Sequence, residues 1–155
     1  MRRGHRADQR EELNEGLSLR ATDAEDLKIV ATVLQDAVIA LTDMKYMASD
    51  RLFVMVANRF RWEGAGEDNG NAERVNCGVA FEGVAGVKVR GLDLRNRSQY
   101  LELLTVREDE GGVRLVFAGG GEVHIEADRP ACHIRDLGEP WPAANRPSHP
   151  IDEPD

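Results

Sequence analysis

Between residues 22 and 38 the apolar side chains Leu27, Val30, Ala31, Leu34, Ala37 and Val38 recur at the i, i+3, i+4, i+7 spacing that lines one face of a helix. Thr22 followed by Glu25 forms a capping box, in which a hydroxyl accepts from a first-turn amide and a carboxylate reaches back. Asp23 and Asp26 add negative charge at the positive end of the helix dipole. The pattern predicts a helix over 23–36.

Beyond the helix the period changes to two. Residues 38–47 read as extended and lead to a turn at Ser49-Asp50-Arg51. The segment 52–62, LFVMVANRFRW, reads as a long central strand, apolar on both faces in its first half and suited to a helix packed over one side. After a Gly/Asn-rich loop at 64–71, Val75, Cys77, Val79 and Phe81 alternate with small or polar residues. Further strands are predicted at 87–89 and 99–107. Val113, Leu115 and Phe117 then face Val123, Ile125 and Ala127 across Gly119-Gly120-Gly121, the cleanest hairpin in the chain. Seven or eight short strands with one helix make the class α+β. The expected architecture is a single domain built on a strongly twisted antiparallel sheet, a sandwich-like or half-barrel meander with one principal helix packed on it. A pleckstrin-homology-like half-barrel is one form it takes.

Composition sets the boundaries. Residues 1–16 hold one large aliphatic side chain beyond Met1, and five of the six prolines fall at or after Pro140. The reading is a flexible arm at 1–16, an α+β domain at 17–138 and a Pro-rich tail at 139–155, with Trp141 tacked onto the domain. The hydrophobic fraction is 41%, too high for wholesale disorder, and no apolar run approaches the roughly 20 residues of a membrane span. Met1–Gly16 lacks the apolar core of a secretory signal, and Cys77 and Cys132 stand far apart in no metal or redox motif. Both features point to a reducing, cytoplasmic location. The net charge of −8 disfavours nucleic acid and anionic lipid as partners. The 17 arginines against 3 lysines are scattered along the chain and mark no patch.

No catalytic signature is present: no nucleophile elbow, no paired metal-binding histidines and no phosphate-binding glycine loop. Gly119-Gly120-Gly121 sits between alternating strands and reads as a turn rather than an anion cradle. Of the possible metal ligands, Cys77 falls on an apolar strand face, Cys132 and His133 point to opposite faces, and His124 alternates outward. No metal and no other cofactor is expected. The most distinctive piece is Asn58-Arg59-Phe60-Arg61-Trp62-Glu63. Interleaved arginines and rings are what a single-stranded nucleic-acid platform uses. Here, period two places Asn58, Phe60 and Trp62 on one face and Arg59 and Arg61 on the other. The expectation is an aromatic core strand with a solvated charged face, and an Asn58 amide that must find a hydrogen bond. Asp36, at the end of the helix, opposes the dipole and calls for a specific partner such as an arginine. The candidate binding residues are therefore Asp36, Asn58, Arg59, Arg61 and Trp62.

The chain resembles an uncharacterised family of small alphaproteobacterial proteins, domain of unknown function 2948. The resemblance rests on LQDAV at 34–38, NRFRWE at 58–63, FEGV at 81–84, FAGG at 117–120 and DLG at 136–138, with Trp141 and Arg146-Pro147 behind. It implies a compact bacterial domain and brings no activity, substrate or cofactor. The function expected is a non-enzymatic interaction or homo-oligomerising module. The alternatives are a small-molecule binder or enzyme with a pocket between helix and sheet, and an RNA-associated accessory protein. A cluster of Asp36, Asn58 and an arginine around a cavity would favour the small molecule; a contiguous basic face would favour RNA.

Overall fold

The computed structural model describes residues 16–60 and 73–142, with side chains as far as residue 138. Helix α1 spans Ala24–Val33, shorter at both ends than the apolar stripe suggested. Asp23, not Thr22, is the N-cap: its Oδ1 accepts from the Asp26 amide at 2.9 Å. Asp26 in turn reaches back to the Thr22 amide at 3.2 Å, so the reciprocal cap is present but is built from two aspartates. The helix stops early because Asp36 takes a left-handed conformation, φ +67°, and gives its amide to the Leu103 carbonyl at 2.9 Å. Leu27, Val30 and Leu34 remain buried, as the spacing requires.

The described residues form ten strands, all paired antiparallel: β1 Ser18–Ala21, β2 Val38–Ala40, β3 Met44–Met47, β4 Leu52–Phe60, β5 Glu73–Glu82, β6 Gly86–Arg90, β7 Tyr100–Asp109, β8 Gly112–Phe117, β9 Glu122–Glu126 and β10 Ala131–Pro142. Their order is β1-β10-β5-β4-β2-β7-β8-β9-β6, with β3 also on β4. The path begins at β1 and ends at β6, and the sheet is not closed. The class is thus α+β: the described residues make one antiparallel sheet with one α-helix. The helix lies against β7 and the end of β1 rather than chiefly over the central β4.

The expected strand 38–47 is divided by a 3-10 turn at Leu41–Asp43. Val38 pairs with Asn58 and Met44 with Met55, so the turn absorbs the extra residues between two contacts on the same strand. The strand at 131–142 extends the sheet four residues beyond Gly138, and Trp141 pairs by backbone register with Arg74. The 117–122 hairpin closes on bonds between Phe117 and Gly121, with Gly119 and Gly120 both at positive φ, as a tight glycine turn demands.

Inward residues alternate cleanly in β5, β8 and β9, and the core runs continuously from Leu27 and Val30 through Phe81, Leu103, Phe117 and Ile125. In β4 the inward set is Phe53, Met55, Ala57 and Arg59, none more than 3% exposed. Asn58 and Phe60 lie on the other, half-buried face. The sequence expectation for this strand is therefore inverted: its charged residue is inside, and its ring is outside.

Candidate functional site

Two polar clusters grow from the β4–β5–β10 region, one on each face. On the inner face Arg59 projects across β5 toward β10. Its Nε donates to Asp136 Oδ1 at 3.0 Å and its Nη2 to Oδ2 at 2.8 Å, a parallel two-bond pair. The two side chains are 0% and 1% exposed. Asp136 Oδ2 also accepts the Leu17 amide at 2.8 Å, and Arg59 Nη1 donates to the Phe60 carbonyl at 2.8 Å. A buried guanidinium is tolerable only when its donors are met in this way. The cluster ties β1, β4 and β10 together. A residue so placed cannot reach a phosphate in solution, so Arg59 is removed from any nucleic-acid platform.

On the outer face Arg74, only 8% exposed, lies over the Phe60 ring with its Cζ 4.1 Å from the centroid. Its Nε bonds Asn58 Oδ1, and its Nη2 donates to the Asn58 carbonyl at 2.9 Å and more weakly to the Asp36 carbonyl at 3.5 Å. The Asn58 amide donates to Asn76 Oδ1 at 3.2 Å, so the hydrogen-bonding need foreseen for Asn58 is met. Burial pulls the Arg74 guanidinium below its ordinary range, opposed by the charges of Asp36 and Glu102. Asp36, Asn58 and an arginine thus do converge. The arginine is Arg74, absent from the candidate set, and its bonds run to groups of the chain itself.

Arg61 and Trp62 lie outside the described residues. Of the two further participants, Arg74 and Asp136, Asp136 had a legible signal. Asp136 continues the apolar parity of Cys132 and Ile134, just as Arg59 continues that of Phe53, Met55 and Ala57. Two inward faces each carrying one charge of opposite sign is the mark of an internal pair.

The thiols sit in the interior, Cys77 at 0% and Cys132 at 2% exposure. Burial pushes the Cys132 thiol up to about 12, which makes it a poor nucleophile and a poor metal ligand at neutral pH. Among the described residues no three His, Cys, Asp or Glu side chains are grouped to hold a metal ion. No helix among them is long and apolar enough to cross a membrane.

Among the described residues, an open antiparallel sheet carrying a single helix, with Arg59, Asp136, Asn58 and Arg74 bonded to groups of the chain itself, defines an α+β domain. Residues 17–149 match the model of the family described as Protein of unknown function (DUF2948), and the chain belongs to that family. No curated protein and no solved structure matches it.

Proposed function

We propose that this chain is a non-enzymatic interaction module that associates with a second copy of itself through the outward face of β4, β5 and β10. The observation that supports this reading is a pair of exposed aliphatic side chains around a glycine. Val56 is 37% and Leu137 44% exposed. Val56 pairs in register with Gly78, and a Cβ built on Gly78 would lie 3.7 Å from Leu137 Cδ1. The neighbouring outward position on β5 is Ala80, so small residues keep the patch flat. Grouped rather than scattered apolar exposure marks association surfaces, and a flat self-complementary face suits a two-fold contact.

The chemistry of the candidate residues supports the same reading. Arg59 is held by Asp136, and Asn58 is held by Arg74 and Asn76. The helix stripe is occupied in packing on the sheet. Light scattering after size exclusion tests the proposal. A mass near 34 kDa, twice the 17.2 kDa chain, is expected, and Val56→Asp with Leu137→Asp should return it to 17.2 kDa. A monomer at about 100 µM would overturn it, since a micromolar interface is mostly occupied there.

A further inference from the structure

Among the described strands the sheet ends at β6, and the phase of its hydrogen bonds shows which backbone groups face that edge. In an antiparallel ladder, bonded and non-bonded residue pairs alternate. The Ala127 amide donates to the Gly111 carbonyl and the Phe117 amide to the Gly121 carbonyl, each at 2.9 Å. These bonds flank the pairs Gly112–Glu126 and Val116–Glu122, which are therefore non-bonded pairs between β8 and β9. Val123 and Ile125 thus give their amides and carbonyls to β8, while Glu122, His124 and Glu126 give theirs to β6. Across that next ladder Gly86, Lys88 and Arg90 take up the bonds. Val87 and Val89 are left with N–H and C=O groups directed at the free edge, where no described residue pairs with them.

The side chains along this edge divide by face. Val87 and Val89 have the inward parity of their register partners Ile125 and Val123, both of which are buried. Val87 packs on the core, but Val89 is 40% exposed, so the inner face of the sheet is uncovered at its last strand. Lys88 and Arg90 take the outward parity and are exposed. Lys88 meets Glu126 at 3.1 Å with its own side chain 76% exposed, a contact that holds a flexible ammonium weakly. Glu122 and Glu126 stand on β9, on the opposite side of β6 from the free edge.

We propose that β6 is a strand-addition site: an extended segment of another protein, alternating apolar and acidic residues, pairs with the Val87 and Val89 backbone and continues the sheet. In such docking the main-chain bonds supply the affinity, and alternate side chains supply the choice of partner. The inward residues of the added strand cover Val89. Its outward residues stand beside Lys88 and Arg90, where a strand pair favours an opposite charge and penalises a like one. The same rule argues against a second copy of this chain. Antiparallel pairing of β6 with itself in the register of fullest overlap sets the two Lys88 side chains opposite each other, and a charged edge guards against its own kind in this way. The site uses none of β4, β5 or β10 and is separate from the self-association proposed above.

Fluorescence anisotropy of the full chain with a labelled, end-blocked heptapeptide of alternating glutamate and valine tests this. Saturable binding with a dissociation constant below about 1 mM is expected, and a lysine–valine heptapeptide should bind at least about tenfold more weakly. Lys88→Glu with Arg90→Glu should reverse that preference. N-methylation of one alternate set of peptide amides should abolish binding, and of the other set should leave it within about threefold. In hydrogen exchange read by NMR, the Val87 and Val89 amides should exchange fast in the free chain and at least about tenfold more slowly with saturating peptide. The Lys88 amide should be slow in both states. No saturable binding up to about 5 mM would overturn the proposal, as would equal affinity for the two peptides or equal effects of the two methylation patterns. Slow exchange of Val87 and Val89 in the free chain would overturn it as well. The charge-reversed variant should keep the mass of the unmodified chain, so loss of peptide binding and loss of self-association are read separately.

Discussion

Arg59 and Asp136, 77 residues apart in sequence, meet through two parallel hydrogen bonds with their side chains withdrawn from solvent. Breaking such a pair leaves one charge buried without compensation, which costs about 3–5 kcal/mol. Arg59→Met or Asp136→Leu alone should therefore lower the urea midpoint severely. The double substitution should recover much of that loss, but not all. The Leu17 amide and the Phe60 carbonyl would still lose their partners. Equal midpoints for the double variant and the worse single variant would contradict this account.

Gly112 and Gly119 both have positive φ, yet alanine should affect them unequally. A Cβ on Gly112 would lie 1.9 Å from the Ile125 carbonyl oxygen, whereas on Gly119 it would meet nothing within 4 Å. Gly119→Ala should cost about 1 kcal/mol from backbone strain alone. Gly112→Ala should cost more than about 3 kcal/mol, because two paired strands must separate to admit it. Thermal melts of the two variants give the comparison.

Cys132 sets an alkaline limit. Its thiol is raised from 9.0 to about 12 by burial, so the unfolded chain releases this proton before the folded one. Stability from keeping the thiol neutral is intact below pH 9 and declines as the pH rises from about 9 toward 12. At pH 8 a thiol-specific reagent should label Cys132 slowly in the native protein and rapidly in urea. Fast native labelling at Cys132 would be inconsistent with the burial.

The chain termini give a fourth expectation. A chain trimmed to Leu17–Arg146 keeps every described strand and should melt cooperatively within a few degrees of the full protein. Ending it at Gly138 removes the Trp141–Arg74 and Pro142–Glu73 pairs and should lower the melting temperature further. Identical melts for the two truncations would show that these last pairs contribute nothing.

The sequence disclosed the helix, the 112–126 hairpin and the inward set of β5 because each repeats a period that only one structure satisfies. It also indicated that Asp36 needed an arginine, although not that Arg74 would answer. It misassigned β4 for an identifiable reason. A strand with apolar residues on both sides offers two registers, and an inward arginine is excluded by hydrophobicity unless its distant carboxylate is known. β10 escaped notice for a related cause: Pro130 before it and Pro140 and Pro142 at its end are residues that argue against a strand. The Arg74 cluster was hidden because its members meet only after β4 and β5 pair in register.

Among the described strands β10 comes latest in sequence, yet it lies between β1, the earliest, and β5. A ribosome delivers Ser18–Ala21 more than a hundred residues before its hydrogen-bonding neighbour exists, so β1 must wait unpaired through most of synthesis. Asp136 arrives equally late for Arg59. Until residues 131–142 emerge, β5 keeps an open edge and a guanidinium destined for the interior has no counter-charge. Loop-closure entropy makes such long-range pairing slow to form and exposes the incomplete sheet to association with other chains. Pairing of residues 131–142 with β1 and β5 is thus what joins these two strands and gives Arg59 its counter-charge.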